Sequence, residues 1–145
     1  MSALYTDLNP VFEPIARQVI ADAQERISEQ FPGSIIRPAV TFRDLSAQLE
    51  AKKMGKSDLS IGMHQFGLAM DPAIIDEKGD YVANGEDRRY TLFGQVATEH
   101  GLIWGGIWLN RPSGKPPDYD HCEMRMSRTP LQLGAWLEEH RVVTA

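Results

Sequence analysis

The chain has 145 residues, of which 42% are hydrophobic and 24% are charged, and its formal net charge is -5. This length fits one domain with its own core, so we expect a single domain over residues 1–145. The acidic charge and the lack of a run of Lys or Arg argue against a nucleic-acid partner. One cysteine, Cys122, excludes an intramolecular disulfide and a cysteine-based zinc site.

Nothing in the sequence is typical of a targeting or membrane segment. The N-terminal stretch MSALYTDLNPVFEP lacks the basic start and the apolar core of a signal peptide. No window approaches the roughly 18 apolar residues of a membrane span. We therefore expect a chain that is made in the cytoplasm without a signal peptide, does not insert stably into a membrane and is a monomer.

The spacing of apolar residues, with the caps and breakers beside them, predicts four helices and two strands. The predicted helices are residues 10–31, 44–54, 88–100 and 129–140. The predicted strands are residues 35–42 and 121–126, with β-like pieces broken by glycines in 58–71 and 102–109. Pro38 places the first strand at a sheet edge or a bulge, and residues 72–87 are predicted to be a polar surface loop. Without a regular βαβ alternation, the fold class is α+β.

His64 and Asp71 lie seven residues apart in the segment HQFGLAMD. Positions seven apart on an ideal strand face opposite ways, so the two side chains meet only if the chain bends between them. Gly67 supplies such a bend. The alternative is that His64 is a hydrogen-bonded core histidine and that Asp71 caps the following turn.

A second histidine, His121, follows an acid and two prolines in the stretch PPDYDHCEM. Zinc in a hydrolase takes three ligands from His, Asp and Glu and leaves one position for water. His64, Asp71 and His121 would supply those ligands, and Asp118 would be the carboxylate that takes the water's proton. No contiguous zinc motif such as HExxH is present, so the alternative that the histidines are only structural stays open.

Four blocks of the sequence resemble the zinc D-Ala-D-Ala carboxypeptidase and L-alanyl-D-glutamate endopeptidase family. The stretches HQFGLAMD, WGGIW and DYDHCE are similar to its HxxGxAxD, WGGxW and DxxHxE elements. Upstream, Thr41-Phe42-Arg43 with Gln48 is similar to its YR…Q segment. The blocks occur in the family's order and span roughly residues 40–126. The resemblance implies a small antiparallel sheet flanked by helices, of the Hedgehog/DD-peptidase type.

The resemblance also implies a role for each matching residue. One zinc ion would be held by His64, Asp71 and His121, with Asp118 as general base. Arg43 would stabilise the oxyanion, since a fixed guanidinium aimed at developing negative charge is effective in catalysis. The remaining implied roles are substrate contacts for Trp108 and Gln48 and, for Glu123, orientation of a ligand from behind the site. Asp120 competes with Asp118 for the role of base.

Three positions depart from the family pattern. Gly62 stands where Ser is frequent, Ile107 where Asp is frequent, and Cys122 where Phe is frequent. None of these departures removes an implied zinc ligand or the implied base, so they bear on substrate contacts. Cys122 offers a thiolate as a fourth ligand, but its place beside His121 on a strand favours a buried, core-facing side chain.

The resemblance implies a peptidase that acts on peptidoglycan stem peptides at the L-alanyl–D-glutamate bond. We expect a phage or prophage endolysin that reaches the cell wall through a holin-type pore. One alternative is the same chemistry on another bond, as a D-Ala-D-Ala carboxypeptidase or dipeptidase. Another is a non-catalytic zinc-binding module, because the Hedgehog signalling domain shares this fold.

Overall fold

The structure is a computed structural model that describes residues 1–54, 63–109, 111, 114–125 and 132. Its helices are α1 (Glu13–Gln30), α2 (Leu45–Lys53) and α3 (Arg88–Glu99). Its strands are β1 (Ile35–Val40), β2 (Ala69–Ile75), β3 (Ile103–Trp104) and β4 (Cys122–Glu123). Short 3-10 turns occur at Tyr5–Asp7, Met63–Phe66 and Gly105–Ile107.

The four strands form one antiparallel sheet in the order β1-β2-β4-β3. Helices α1 and α3 pack on each other, and their apolar faces share one core with the sheet, which includes Val19, Phe93 and Ile74. This arrangement confirms the expected α+β class with a small antiparallel sheet flanked by helices. None of the helices in the described parts of the chain is long and apolar enough to cross a membrane.

The first helix begins three residues later than its apolar spacing predicts. The Asn9 carbonyl accepts hydrogen bonds from the amides of Phe12 and Glu13, and its side chain accepts one from Val11. Asn9 therefore caps a turn that leads into α1, rather than α1 itself. The buried positions of α1 fall on one stripe, as predicted: Ala16, Val19, Ile20, Ala23 and Ile27.

Proline occurs in the edge strand β1 and in its inner neighbour β2. β1 is an edge strand, and its register shifts between Pro38 and Val40, which confirms the prediction of an edge or a bulge. The prediction that a loop begins at residue 72 was wrong, because β2 continues to Ile75. Pro72 lies opposite Pro38, so the two positions that lack a backbone amide fall on the same pair of the ladder.

The predicted turn after β2 is present. Gly79 has a φ of 88°, and the Asp76 carboxylate accepts hydrogen bonds from the amides of Lys78 and Asp80. The chain then returns, with Tyr81 bridged to Ile75, and Asp87 caps α3. Asp76 thus stabilises the turn, and Asp87 stabilises the start of α3.

The last third of the chain matches its predictions in part. Helix α3 ends one residue earlier than predicted, and Gly101 follows with a φ of 77°. The strand predicted at 121–126 pairs only at Cys122–Glu123. The helix predicted at 129–140 lies outside the described residues, except for Gln132.

Candidate metal centre

Three side chains from distant parts of the chain converge on one point. The Asp71 Oδ1 atom lies 3.1 Å from His64 Nε2 and 2.7 Å from His121 Nδ1. One ligand atom from each residue lies within 4.8 Å of the other two. Both histidines are buried, and their rings meet edge to face at 5.2 Å between centroids.

The register of the sheet places two of these residues side by side. Ala69 of β2 lies opposite Glu123 of β4, and Met70 lies opposite Cys122. One step further along the same antiparallel pairing, Asp71 faces His121. The contact between Asp71 and His121 therefore follows from strand pairing and not from the flexibility of either side chain.

His64 enters the cluster from the 3-10 turn before β2. The Gly67 amide closes this turn on the His64 carbonyl, and Gly67 has a φ of 66°, in the region that favours glycine. The chain can therefore reverse between residues 64 and 71, as the sequence requires if the two side chains are to meet. Nδ1 of the His64 ring is buried and lacks a hydrogen-bond partner within the described parts of the chain.

The cluster is strongly coupled electrostatically. Burial by itself would raise the pKa of Asp71, but the charge of His64 and the hydrogen bonds of both histidines outweigh it and hold that pKa well below its usual range. For His121, burial would lower the pKa, and the hydrogen bonds of Asp71 and Glu123 raise it above its ordinary value. A cation that binds here meets an ionised carboxylate and displaces a proton from imidazole.

Glu123 lies behind His121 on the same face of β4. Its Oε1 is 2.8 Å from His121 Nε2, and its carboxylate also pairs with the Arg125 guanidinium. Glu123 is only 2% exposed, so it is not an ordinary solvent-exposed strand residue. A carboxylate on the far nitrogen of an imidazole fixes the ring and directs the other nitrogen toward the cluster.

Two acids lie next to the cluster in the loop before β4. Asp118 Oδ2 is 4.0 Å from His121 Nδ1, and its side chain is partly exposed. Asp120 forms a hydrogen bond with Asp118, and burial together with the charges of Asp71 and Asp118 raises the pKa of Asp120 to about 7. Asp120 is therefore partly protonated near neutral pH.

Gly105, at the start of the third 3-10 turn, lets the loop that carries Asp118 approach the cluster. The Gly105 amide donates to the His121 carbonyl, and the Gly105 carbonyl accepts from the Asp118 amide. A Cβ on Gly105 would lie 2.4 Å from the Asp118 carbonyl oxygen. Gly105 is thus needed to hold Asp118 close to the cluster.

The two tryptophans of WGGIW have different surroundings. The Trp104 ring packs so closely on α3 that a Cβ on Gly94 would lie 2.2 Å from it, and its Nε1 donates to the Tyr119 carbonyl. Trp108 instead flanks the cluster, with its ring centroid 5.1 Å from that of His121 and 5.8 Å from the Arg125 guanidinium. Of the two tryptophans, Trp108 is the one that adjoins the side chains of the cluster.

For the remaining residues singled out from the sequence, the structure shows fewer contacts with the cluster. The Arg43 amide donates to the His64 carbonyl at 3.3 Å, so Arg43 starts beside the histidine turn. Gln48 belongs to α2, and its side chain lies outside the described atoms, as does Gly62. Ile107 is 66% exposed, whereas Cys122 is fully buried in the core, where burial raises the pKa of its thiol. A thiolate ligand is therefore not supported.

The sequence motifs did not single out Arg125, although a signal for it was available. Residues 121, 123 and 125 alternate along one face of a short strand, so Arg125 was bound to lie near Glu123. The role of Tyr119 as a packing partner had no such signal, because it depends on a tertiary contact with Gly85.

Two imidazoles and a carboxylate that converge beside a second acid, on an antiparallel α+β scaffold, are typical of metal-dependent hydrolases. Residues 55–124 match the sequence model of a peptidase family described as D-alanyl-D-alanine carboxypeptidase. This stretch holds all three residues of the cluster, Asp118 and Glu123. The match covers just under half of the chain, and it confirms the resemblance found from its motifs.

Solved structures show the same fold, and no curated protein matches the sequence. The L-Ala D-Glu endopeptidase ChiX of Serratia marcescens is 21% identical, with a TM-score of 0.59 and coverage of 84% of both chains. The LD-carboxypeptidase LdcB, whose structure is described as revealing the basis of peptidoglycan recognition, is 17% identical. Its TM-score is 0.54, with coverage of 100% of this chain and 81% of that one.

Proposed function

We propose that this chain is a zinc-dependent peptidase that hydrolyses the L-alanyl–D-glutamate bond of peptidoglycan stem peptides. The observation that carries the proposal is the convergence of His64, Asp71 and His121 with Asp118 at its margin. The fold likeness to ChiX, which is named for this bond, supports the choice of substrate. As a protein of this kind, it would serve in bacterial lysis as a phage or prophage endolysin, released through a holin-type pore.

The geometry of the cluster fits a zinc ion. Ligands about 2.0–2.1 Å from a tetrahedral zinc ion lie roughly 3.3 Å from one another. The contacts of Asp71 Oδ1 with His64 at 3.1 Å and with His121 at 2.7 Å are close to that spacing. Two imidazole nitrogens, one carboxylate oxygen and the Glu123 support behind His121 make up the donor set of a catalytic zinc site.

The residues of this chain would then divide the work of hydrolysis. A bound zinc ion would supply a Lewis acid that polarises the scissile carbonyl. Asp118 would accept a proton from the attacking water and pass it to the leaving amine, and its partly exposed carboxylate beside His121 suits that role. Arg43 would carry part of the oxyanion charge, and Trp108 and Gln48 would contact the stem peptide.

The same cluster also suits the removal of a terminal D-alanine. The matching family is described as D-alanyl-D-alanine carboxypeptidase, and this description favours carboxypeptidase or dipeptidase activity as the second candidate. A non-catalytic zinc module is the third candidate. A carboxylate that is neither a ligand nor buried away from the site argues against it, because simple binding needs no base.

Digestion of purified peptidoglycan with the zinc-loaded protein, followed by mass spectrometry, separates these candidates. We expect free peptides that begin at D-Glu, with L-Ala left on the glycan, and no product with His64→Ala. Loss of only a terminal D-Ala would show that the protein is a carboxypeptidase instead. Zinc binding at one ion per chain without any product would favour the binding module.

The lysis role has its own test. We expect cells that express the protein together with a pore-forming holin to lyse, and cells that express His64→Ala with the same holin to remain intact. Intact cells in both cases, despite a protein that cleaves purified wall, would contradict the endolysin assignment without affecting the chemistry.

A further inference from the structure

A cavity of about 370 Å³ opens between the turn at residues 81–86 and the loop at residues 116–120. Neither segment contributes a metal-ligating residue, and the proposed chemistry does not use the cavity. Its lining includes three tyrosines, a proline and two acids: Tyr81, Tyr90, Tyr119, Pro117, Glu86 and Asp120.

Tertiary contacts hold the walls of this cavity in place. The Tyr119 ring lies so close to Gly85 that a Cβ there would be 2.2 Å from it, and the Tyr119 carbonyl accepts from Trp104. The hydroxyl of Tyr90 donates to the Val82 carbonyl at 2.6 Å. The cavity is therefore formed before any ligand arrives, which lowers the cost of binding.

The lining selects one kind of ligand. Glu86 and Asp120 bring two carboxylates, and no Lys, Arg or His is present among the described residues that line the cavity. Tyrosine rings attract cations over their faces, and proline offers an apolar surface to a methylene chain. An ammonium group on an aliphatic stem satisfies both parts of the lining, whereas an anion would meet the Glu86 carboxylate and no cationic side chain among the described lining residues.

The cavity adjoins the metal centre through a pair of acids. Asp120 lines the cavity and forms a hydrogen bond with Asp118, and Asp118 lies 4.0 Å from His121. A peptide held at the metal centre therefore has a side-chain pocket within reach on the Asp120 side.

We propose that this cavity binds a primary ammonium group on an aliphatic side chain, namely that of the diamino acid in a stem peptide. This assignment rests on the proposed function for the identity of the substrate. It adds a determinant of specificity: the chain selects stem peptides by the charge of the residue that follows D-Glu, as well as by the bond that it cleaves.

The test compares two peptides that differ by one ammonium group, L-Ala-γ-D-Glu-L-Lys and L-Ala-γ-D-Glu-L-norleucine. We expect the zinc-loaded protein to prefer the lysine peptide by about tenfold in kcat/KM, chiefly through KM, which is the size of effect expected from one specific pocket contact. Glu86→Gln should remove most of that preference. Asp80→Asn, an exposed acid of the same hairpin outside the cavity, should leave it intact.

Asp120→Asn tests the inner acid of the cavity. Because Asp120 contacts Asp118, this substitution should slow both peptides, so the informative quantity is the ratio of their kcat/KM values. We expect that ratio to fall toward one. Equal kcat/KM for both peptides with the wild-type protein would overturn the cavity assignment and leave the proposed reaction standing.

A binding measurement keeps this inference separate from the reaction. The fragments γ-D-Glu-L-Lys and γ-D-Glu-L-norleucine lack the scissile bond, and calorimetry gives their affinities directly. If neither tripeptide is cleaved but the lysine fragment binds about tenfold more tightly, the cavity stands and the assigned bond is wrong. If the two fragments bind equally, the cavity assignment is wrong whatever the reaction.

Discussion

Two histidine–aspartate pairs in this protein have the same separation but different surroundings. His121 Nδ1 is 2.7 Å from Asp71, and His100 Nε2 is 2.7 Å from Asp22. The first pair is buried, meets a second histidine and has Glu123 behind it. The second pair is partly exposed and joins the end of α3 to α1. A short contact between these residue types therefore does not make a metal site, whereas convergence of several donors in a buried place does.

The largest expected difference between the two pairs is in metal binding. His121→Ala removes one of three ligands, so we expect zinc affinity to fall by more than the roughly 100-fold that is typical of outer-shell changes, with loss of hydrolysis. His100→Ala should retain zinc at one ion per chain and full activity. Metal analysis after dialysis against a competing chelator measures both. Equal zinc loss in the two variants would contradict the distinction drawn between the pairs.

Replacing Asp118, which lies beside the first pair, separates zinc binding from catalysis, and replacing Asp22 of the second pair is the control. Asp118→Asn should keep zinc and reduce kcat by about 10²- to 10⁴-fold, because a positioned base contributes that much. The matched change Asp22→Asn should leave kcat unchanged. If Asp118→Asn turned over at the wild-type rate, the role of base would have to move to Asp120 or to another group.

The support behind His121 should have a smaller effect on the metal. Glu123→Gln keeps the volume but weakens the hydrogen bond to His121, and we expect zinc affinity to fall by about 10- to 100-fold. Arg125→Leu, which leaves Glu123 without its guanidinium partner, should have a weaker effect in the same direction. Arg26→Leu is the control, because Arg26 pairs with Glu99 near the surface pair. Unchanged affinity in Glu123→Gln would show that packing alone orients His121.

The smallest expected effect is on stability at the surface pair. Hydrogen bonds from His100 and Gln18 lower the pKa of Asp22 from its usual 3.8. A carboxylate with a depressed folded-state pKa stabilises the fold above its unfolded pKa, and this contribution is lost as the pH falls through the folded-state pKa. Asp22→Asn should therefore lower Tm slightly at pH 7, and the difference from wild type should shrink as the pH falls below 3.8 and through the folded-state pKa of Asp22. A Tm difference that is independent of pH would contradict this linkage.

The sequence predicts the members of the metal centre better than it predicts their supports. His64, Asp71 and His121 stand in motifs whose spacing is recognisable, and the bend at Gly67 is deducible from the strand period. Arg125 lies in no recognisable motif, and only the alternation of side chains along the chain places it near Glu123. The packing of Tyr119 against Gly85 is a tertiary contact that leaves no local pattern in the chain.

The fold, too, has elements that local sequence predicts and elements that depend on tertiary contacts. The three helices that the structure describes were predicted to within a few residues from the spacing of apolar residues and the caps and breakers beside them. β2 was predicted to end too early, because Pro72 and the polar residues after it are typical of a loop. Its pairing with Pro38 on the neighbouring strand, which no local signal reveals, allows the strand to continue.

The strand that carries Glu123 and follows His121 is only two residues long, yet it lies between β2 and β3. Asp71 and His121 are 50 residues apart in the chain, so an ion held by both would close a long loop in the same way as a covalent crosslink. A bound ion would therefore stabilise the pairing of β4 with β2. Loss of the ion would make the side chains around the metal centre less ordered, and its return would restore their order.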